Sequence, residues 1–261
     1  MKNPGNLTPR EAREIIRRNE WTGPTSGLAL GYAQANLVVL PRELAFDFLL
    51  FCQRNPRPCP LLEVTETGSP FPVSAGRDAD LRSDFPRYNI YRNGIKTDEV
   101  TDIHDFWNPD MVGFLLGCSF TFENALMKNR IAVRHIEEGK NVPMFKTNIS
   151  CRKAGIFEGP MVVSMRPVPA ELIARAVQVT SRFPRVHGAP VHIGDPLEIG
   201  IKDIYKPDFG DPVTIRKGEV PLFWACGVTP QAVAVNARPE LMITHAPGHM
   251  FITDFTDDEM E

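Results

Sequence analysis

Apolar residues recur along this chain with the spacing of helices in some stretches and as short runs in others. Helical spacing after a capping box at Thr8-Pro-Arg-Glu11 predicts a first helix over residues 9–19, and the same spacing predicts helices over 41–54, 119–129 and 169–182. Short apolar runs bounded by Gly, Pro or Asn predict buried strands at residues 35–40, 60–64, 87–92, 112–116, 148–151, 161–165, 221–226 and 240–244. The run at 112–116 also fits a helix start. Strands alternating with helices are typical of α/β folds.

The last quarter of the chain contains the clearest example of this alternation. Residues 221–226 predict a strand, and residues 240–244 predict the next one. Between them, Thr229 and Pro230 have the residue types of a helix N-cap and first helical position. A strand, a short helix and a strand in this order indicate a parallel βαβ unit within one sheet.

Composition narrows the classes of function. The chain has 261 residues, a net charge of −3 and an isoelectric point of about 6.1, so nothing indicates binding to nucleic acid or to an anionic membrane. No apolar run approaches the roughly 20 residues of a membrane helix, and the first residues lack the apolar core of a secretory signal. Five cysteines without a CxxC spacing favour reduced thiols in a cytoplasmic protein.

The segment VHGAPVHIGDP, residues 186–196, concentrates groups that could carry chemistry. It contains His187, His192 and Asp195, and a strand over residues 190–194 would place His192 opposite its apolar neighbours. One interpretation is an acid/base group at a strand end that faces a cleft. The other is a tight bend in which Asp195 forms a turn with its own backbone and the histidines bond loop carbonyls.

A second His-rich loop, His245-Ala-Pro-Gly-His249, follows the predicted strand over residues 240–244. Ligands of α/β sheets bind beyond the carboxyl ends of strands, so the two loops together could bring several imidazoles to one site. Zinc would need three or four converging ligands, and the chain has no HExxH or paired CxxC. We therefore expect no cofactor, and favour acid/base chemistry or plain binding over a metal without excluding a divalent ion.

Gly117-Cys118-Ser119 lies between an apolar run and a predicted helix, with Glu123 about one turn further on. Backbone N–H groups at a helix start bind anions, which indicates a cradle for a carboxylate or oxyanion with an acid nearby. The alternative is an ordinary helix start with a thiol in the core, and the sequence favours neither.

Several other residues have the right chemistry to hold a substrate carboxylate. Arg152 and Arg166 each follow or end a predicted strand, where a guanidinium could grip a carboxylate with two hydrogen bonds. Arg134 and His135 fit either this role or a solvated helix face. Cys226 ends a predicted strand and could line the same site or be a buried thiol.

Nine blocks of the sequence resemble those of the D-glutamate cyclase-like family, whose bacterial members are mostly named as hydro-lyases. They are GYAQANLVVLP, FCQRNPRPCPLLEVTETGSP, DIHDFWNPDMVGFLLGCSFTFENAL, RHIEEGKNVPMFKTNISC, GPMVVSMRP, FPRVHGAPVHIGDP, PDFGD, VPLFWACGVTPQ and ITHAPGHMFITD. The blocks extend from about Gly31 to Asp254, nearly the whole chain.

The resemblance implies a fold and a reaction. It implies a mixed α/β fold with a larger three-layer αβα domain and a smaller two-layer domain, which we place at residues 1–110 plus 187–261 and residues 111–186. The reaction is removal of water, and in one branch the cyclisation of D-glutamate to 5-oxo-D-proline. The resemblance does not identify any catalytic residues.

Assigned from the residues alone, His187, His192 and Asp195 form the acid/base group, with His245 as a further candidate. Glu123 protonates the leaving oxygen, the Gly117–Ser119 amides hold the oxyanion, and Arg152 or Arg166 clamps the α-carboxylate. Arg134, His135, Cys118, Cys226 and His249 complete the expected binding site. The scheme needs no ATP, in keeping with the absence of a P-loop motif.

Two alternatives remain open. One is a dehydratase of another small acid, and the other is a non-catalytic protein that binds small carboxylates. The expected partner is a small carboxylate in each case, and a homo-oligomer is left open.

Overall fold

The structure, a computed structural model that describes residues 3–261, contains helices packed against two antiparallel sheets. The helices are α1 (Pro9–Arg17), α2 (Arg42–Arg54), α3 (Phe120–Lys128), α4 (Arg134–Glu137), α5 (Ile173–Ser181) and α6 (Val228–Asn236), with short 3₁₀ turns between elements. The strands are β1 (Tyr32–Pro41), β2 (Leu61–Val64), β3 (Tyr88–Arg92), β4 (Ile95–Val100), β5 (Met111–Gly117), β6 (Met144–Ser150), β7 (Pro160–Pro169), β8 (His192–Ile193), β9 (Glu219–Ala225), β10 (Met242–His245) and β11 (Phe251–Thr256). The mixed α/β class is therefore confirmed.

The larger sheet is built on β1. Its strand order is β2-β5-β1-β10-β3-β4, and β11 pairs with the first half of β1, beside β10. The strands β5 and β10 are both antiparallel to β1, so they run parallel to each other with β1 between them. Their carboxyl ends, Gly117 and His245, therefore meet beside the first half of β1.

The smaller sheet has the strand order β6-β7-β9-β8. One face packs against α3 and α5, where Phe122 and Ala176 join Leu222 and Trp224 in one core. The opposite face is covered by the irregular segment after β8, whose Ile199, Ile201 and Val213 contact Phe145, Met165 and Phe223.

The two faces of the larger sheet are also covered differently. The helices α2 and α6 pack on one face, with Phe48, Phe51 and Val233 against Val38 and Phe114. The other face is covered by two irregular segments. The one between β2 and β3 contributes Ala75, Ala79, Leu81 and Phe85, and the one between β4 and β5 contributes Ile103. A second helical layer, as the three-layer expectation requires, does not form this cover.

Local signals in the sequence identify several elements correctly. The capping box at Thr8 and Glu11 opens α1 with Pro9 in its first turn. The Asn93-Gly94 turn between β3 and β4 has both residues in the left-handed region, at φ of 52° and 79°, as a two-residue hairpin requires. The predicted helix over 169–182 is shorter, because β7 continues to Pro169 and α5 begins at Ile173.

The predicted parallel βαβ unit is wrong. The strand β9 lies in the smaller sheet and β10 in the larger one, so α6 crosses from one sheet to the other. A strand–helix–strand pattern fixes the order of the elements but not the sheet that each strand joins, because pairing depends on distant strands.

The sheets are not divided at the predicted domain boundaries either. The strand β5 begins at Met111 and belongs to the larger sheet, whereas β8 and β9, after residue 187, complete the smaller one. A division into residues 1–110 plus 187–261 and residues 111–186 stays a prediction about folding units. Within residues 3–261, no helix combines the length and apolar character needed to cross a bilayer.

Gly117, at the end of β5, allows two backbone segments to touch. A Cβ at this position would lie 2.2 Å from the carbonyl oxygen of Arg185 and 2.8 Å from a methyl carbon of Val186. We expect Gly117→Ala to lower the free energy of unfolding by about 1–3 kcal/mol, since the backbone must shift to admit the methyl group. Urea unfolding followed by circular dichroism measures this change.

Gly23→Ala is the matched control, because a Cβ there meets nothing within 4 Å. It should change the free energy of unfolding by no more than about 0.5 kcal/mol. Equal stability of the two variants would contradict the close approach at Gly117.

Candidate functional site

A cavity lies where β5, β9 and β10 end, between the two sheets. Its lining includes Asn36 from β1, Cys118 and Ser119 after β5, Cys226 and Gly227 after β9, and His245 at the end of β10. We call it the inner cavity; its volume is about 30 Å³.

The helices α3 and α6 both begin at the inner cavity. Phe120 and Val228, their first residues, line it, and neither helix has a side-chain hydrogen bond at its N-cap, Ser119 or Gly227. The first N–H groups of a helix have no partner within the helix, and the N-terminus carries a partial positive charge. The N–H groups of Phe120 and Val228 are directed at the sulfurs of Cys118 and Cys226, which are weak acceptors. An anion with more than one acceptor group can compete for these two helix starts.

The sequence explains why α6 is left uncapped. Thr229, predicted as the N-cap, lies inside the helix instead, and the cap position is Gly227. The Thr229 hydroxyl accepts a hydrogen bond from the Val162 N–H at 2.9 Å and donates to the Val162 carbonyl at 3.1 Å. It therefore ties α6 to β7, and no side chain covers the helix start.

Asn36 joins the two helix starts. Its amide nitrogen donates to the Gly117 carbonyl at 2.9 Å, and a Cβ on Gly227 would lie 2.2 Å from the same nitrogen. Thus the residue holds the start of α3 and lets the start of α6 approach closely. The sequence analysis did not identify Asn36. Its position as an amide within the apolar run AQANLVVL is a signal that it bonds a buried backbone group.

His245 contributes a neutral imidazole to the inner cavity. Its Nδ1 accepts a hydrogen bond from the Leu37 N–H at 3.1 Å, and the amide nitrogen of Gln231 lies 2.8 Å from the same atom. Burial lowers the pKa of His245 to about 3. With Nδ1 used as an acceptor, the proton is on Nε2, so His245 can donate a hydrogen bond to a ligand. Gln231 is a second residue that the sequence analysis missed.

Behind the helix start of α3 lies a buried ion pair. Arg166 donates to the Glu123 carboxylate through Nε at 2.9 Å and also through Nη2. Burial would raise the pKa of Glu123, but Arg166 outweighs it and holds the pKa at about 2. Nη2 also donates to the Ser119 hydroxyl at 3.1 Å. Arg166 therefore binds the carboxylate of Glu123 instead of a substrate carboxylate, and it positions Ser119 at the cavity.

An outer cleft adjoins the inner cavity at Phe120, which lines both. The outer cleft is lined also by Ser26, His135, Lys140 and Asn141, and its volume is about 430 Å³. His135 Nε2 lies 3.3 Å from Glu123 Oε1, an ion-pair distance without hydrogen-bond alignment. His135 thus lines the outer cleft, and its role in substrate binding stays a prediction.

Comparison with known proteins identifies the family of the chain. Residues 112–254 match the family model described as D-glutamate cyclase. The chain belongs to the D-glutamate cyclase family. The matched stretch contains both helix starts and His245, and of the residues that line the inner cavity only Asn36 lies outside it.

Relatives in this family match almost the whole chain. A protein of Geobacillus kaustophilus is 70% identical and one of Thermoanaerobacter sp. (strain X514) is 68% identical, each over 97% of this chain and 97% and 96% of their own lengths. One of Bacillus subtilis is 65% identical over 97% of this chain and 99% of its own length. All three carry the name "Putative hydro-lyase".

Among solved structures, a nitrogen repressor-like protein from Methanococcus jannaschii superposes with a TM-score of 0.38 and 9% identity, over 94% of this chain and 98% of its own. A likeness at that level carries no argument about the fold or the function of the cyclase-family chain.

Two thiols of the cyclase-family chain face the inner cavity. Cys118 and Cys226 are each 7% exposed and unpaired. Burial raises the pKa of Cys118 to about 12 and that of Cys226 to about 11. Both side chains are therefore thiols at neutral pH, and their role in substrate binding stays a prediction.

His192 and Asp195 lie away from the inner cavity. His192 pairs with Phe223 and Phe223 with Met165, on the face of the smaller sheet opposite Arg166. The His192 Nε2 donates to the Asp195 carbonyl at 2.7 Å, and the Asp195 carboxylate accepts from the Leu197 N–H at 2.9 Å. These are the contacts of a tight bend, so the geometry gives no support to an acid/base role.

His187 sits behind the Gly117 corner with its backbone in the left-handed region, at φ of 86°. Its Nδ1 donates to the Arg57 carbonyl at 2.8 Å, while Nε2 has no partner. Burial lowers the pKa of His187 to about 4. The neutral ring is close to the site but is not among the residues that line the inner cavity.

The remaining predicted residues are used elsewhere. Arg134 is buried and donates to Glu219, Glu137 and the Thr214 carbonyl. Arg152 has an exposed side chain, and β6 ends before it. His249 bonds the Pro247 carbonyl within its own loop at 2.9 Å.

The expected gathering of imidazoles is wrong, and in residues 3–261 no three His, Cys, Asp or Glu side chains are placed to hold a metal ion.

The burial of His187 predicts a pH dependence of stability. Its pKa is about 4 in the folded chain and about 6.5 when unfolded, so the unfolded chain binds the proton more readily between these values. The stability contribution is complete above pH 6.5 and is lost as the pH falls to 4, by about 3 kcal/mol at 1.4 kcal/mol for each pKa unit.

His187→Asn removes the titrating group and keeps a donor for the Arg57 carbonyl. We expect the free energy of unfolding of this variant to fall less steeply between pH 7 and 4 than that of the wild type. The neutral His245 acts in the same direction, so part of the slope remains. Identical slopes in urea titrations would contradict a neutral, buried His187.

Proposed function

We propose that this chain is a hydro-lyase that acts in the cytoplasm. It removes water from a small amino or hydroxy acid that lies in the outer cleft and places its acidic groups at the inner cavity. The single observation that carries the proposal is the pair of uncapped helix N-termini, α3 and α6, that open onto this cavity. The shared name of the relatives and the family of the chain support the same reaction class.

The two helix starts favour an acid with two carboxylates or a carboxylate and a carbonyl. Each start offers N–H donors and a partial positive charge to one acceptor group. D-glutamate has two carboxylates, and its cyclic product 5-oxo-D-proline keeps one and converts the other to a lactam carbonyl. The charge of Arg166 is neutralised by Glu123. We therefore propose that the helix starts, and not a guanidinium group, bind the substrate carboxylates.

Cyclisation places definite demands on proton transfer. The amine attacks the side-chain carboxyl carbon, a C–N bond forms, and one C–O bond breaks to release water. The ammonium group loses two protons and the departing oxygen gains two, so no net proton is consumed. Groups in the cavity need only relay protons, and thiols and imidazole N–H groups are suited to this.

His245 has the role of an electrophile in this scheme. Its Nε2–H donates to the oxygen on which negative charge develops as the carboxyl carbon becomes tetrahedral. A neutral imidazole suits that task, because it polarises the oxygen without giving up its proton early. This differs from the acid/base role that the sequence analysis assigned to it.

The test is to incubate the full chain with D-glutamate, L-glutamate and small hydroxy acids, and to follow dehydrated products by ¹H NMR. We expect 5-oxoproline signals from D-glutamate. His245→Asn keeps an acceptor for the Leu37 N–H but loses the Nε2 donor, so it should lower kcat by about 10²–10³-fold. His249→Asn, which alters only a loop contact, should keep wild-type turnover.

Full turnover by His245→Asn, with both variants folded by circular dichroism, would remove His245 from the mechanism. Saturable binding of acids by the wild type without any loss of water would contradict the hydro-lyase proposal. That result would favour a non-catalytic carboxylate-binding protein instead.

A further inference from the structure

Cys118 and Cys226 occupy equivalent positions in two unrelated parts of the chain. Each follows or closes a buried strand, β5 or β9, and each lies two residues before the first residue of a nine-residue helix. In both cases a backbone N–H of that helix start, from Phe120 or Val228, is directed at the sulfur. The two thiols therefore reach the inner cavity from two different sheets.

Few groups in the inner cavity can exchange a proton with a bound acid. Among the described residues that line it, the titratable side chains are Cys118, Cys226 and His245. The Nδ1 of His245 is occupied by the Leu37 N–H, so this ring cannot accept a proton without breaking that bond. Glu123 lies behind Ser119 and is neutralised by Arg166. By elimination, proton transfer to and from carbon falls to the two thiols.

We propose that Cys118 and Cys226 form a two-thiol acid/base pair that exchanges the hydrogen on the α-carbon of the bound amino acid with solvent and thereby interconverts its two mirror-image forms. This second activity rests on the proposed function, because it uses the same bound acid.

The step is balanced without a co-reactant. The step starts from the small fraction of molecules in which one cysteine has lost its proton to solvent. This thiolate takes the α-hydrogen as a proton; the C–H bond breaks and its electron pair passes into the carboxylate, which a helix start holds. The other cysteine, as thiol, gives its proton to the α-carbon from the opposite side. The first sulfur is then protonated and the second is ionised, ready for the reverse reaction.

The surroundings of the thiols predict a pH profile. The charged and titratable groups that face them are Arg166 on β7, Glu123 on α3 and His245 on β10, besides each other. With the pKa of Cys226 at about 11, the ionised fraction increases about tenfold for each pH unit between 7 and 10. The exchange rate should increase accordingly.

The experiment uses the full chain in ²H₂O with D-glutamate and with L-glutamate as separate probes. Loss of the α-proton signal is followed by ¹H NMR, and enantiomer content by chiral chromatography. We expect deuterium at the α-carbon in recovered glutamate and in 5-oxoproline, together with formation of the opposite enantiomer.

Cys118→Ser and Cys226→Ser should each slow enantiomer interconversion by about 10²-fold or more, with Cys→Ala variants as a second pair in case serine disturbs folding. Cys151→Ser is the matched control, since Cys151 lies outside the inner cavity, and it should exchange like the wild type.

The outcomes separate this inference from the proposed function. Product that forms with its α-proton fully retained overturns the two-thiol pair but leaves the hydro-lyase in place. Deuterium exchange without loss of water supports the pair and contradicts the hydro-lyase. Wild-type exchange rates in both cysteine variants, or a wild type that leaves the α-hydrogen of both enantiomers in place, overturn the pair.

Discussion

The site depends on one electrostatic constraint: two helix N-termini point at the same cavity. Each end carries a partial positive charge, so their approach is unfavourable unless negative groups lie nearby. Glu123 in the first turn of α3 is ionised, but its charge is matched by Arg166. The remaining positive potential at the two helix starts is what a bound carboxylate would neutralise. Ligand binding would thereby stabilise the folded chain as well.

The fold brings these ends together through β1. Because β5 and β10 flank this strand in parallel, their carboxyl ends reach Asn36 from two sides. The smaller sheet adds the third corner, since α6 crosses from β9 to β10. The close contact of Gly227 with the Asn36 amide leaves no room for a side chain there. The same contact thus holds the two sheets together and shapes the wall of the cavity.

Local parts of this arrangement could be predicted from the sequence, and the long-range parts could not. The capping box of α1, the Asn93-Gly94 hairpin and the helix after Cys118 depend on neighbouring residues and were predicted correctly. The sheet that β9 joins depends on β7, which lies about 60 residues away, so the parallel unit was wrong.

The same distinction explains the candidate site. Cys118, Ser119, Cys226 and His245 line the inner cavity and were named because strand ends and helix starts are local features. Gly117 was named with them, but its N–H donates to the Pro60 carbonyl at 2.8 Å and cannot hold an oxyanion. His192 and Asp195 misled because a His and an Asp in a bend have the composition of an acid/base pair, and only the pairing of β8 reveals which face they occupy. Asn36 and Gln231 were missed because a single amide in an apolar run gives little signal without its partners.

The most direct test of the account is a crystal structure of the protein with glutarate, which has both carboxylates of glutamate but lacks the amine and cannot cyclise. The account predicts one carboxylate within about 3 Å of the N–H groups at the start of α3 and the other at the start of α6. Glutarate bound at the bend of His192 and Asp195, or along a surface away from Asn36 and His245, would contradict it.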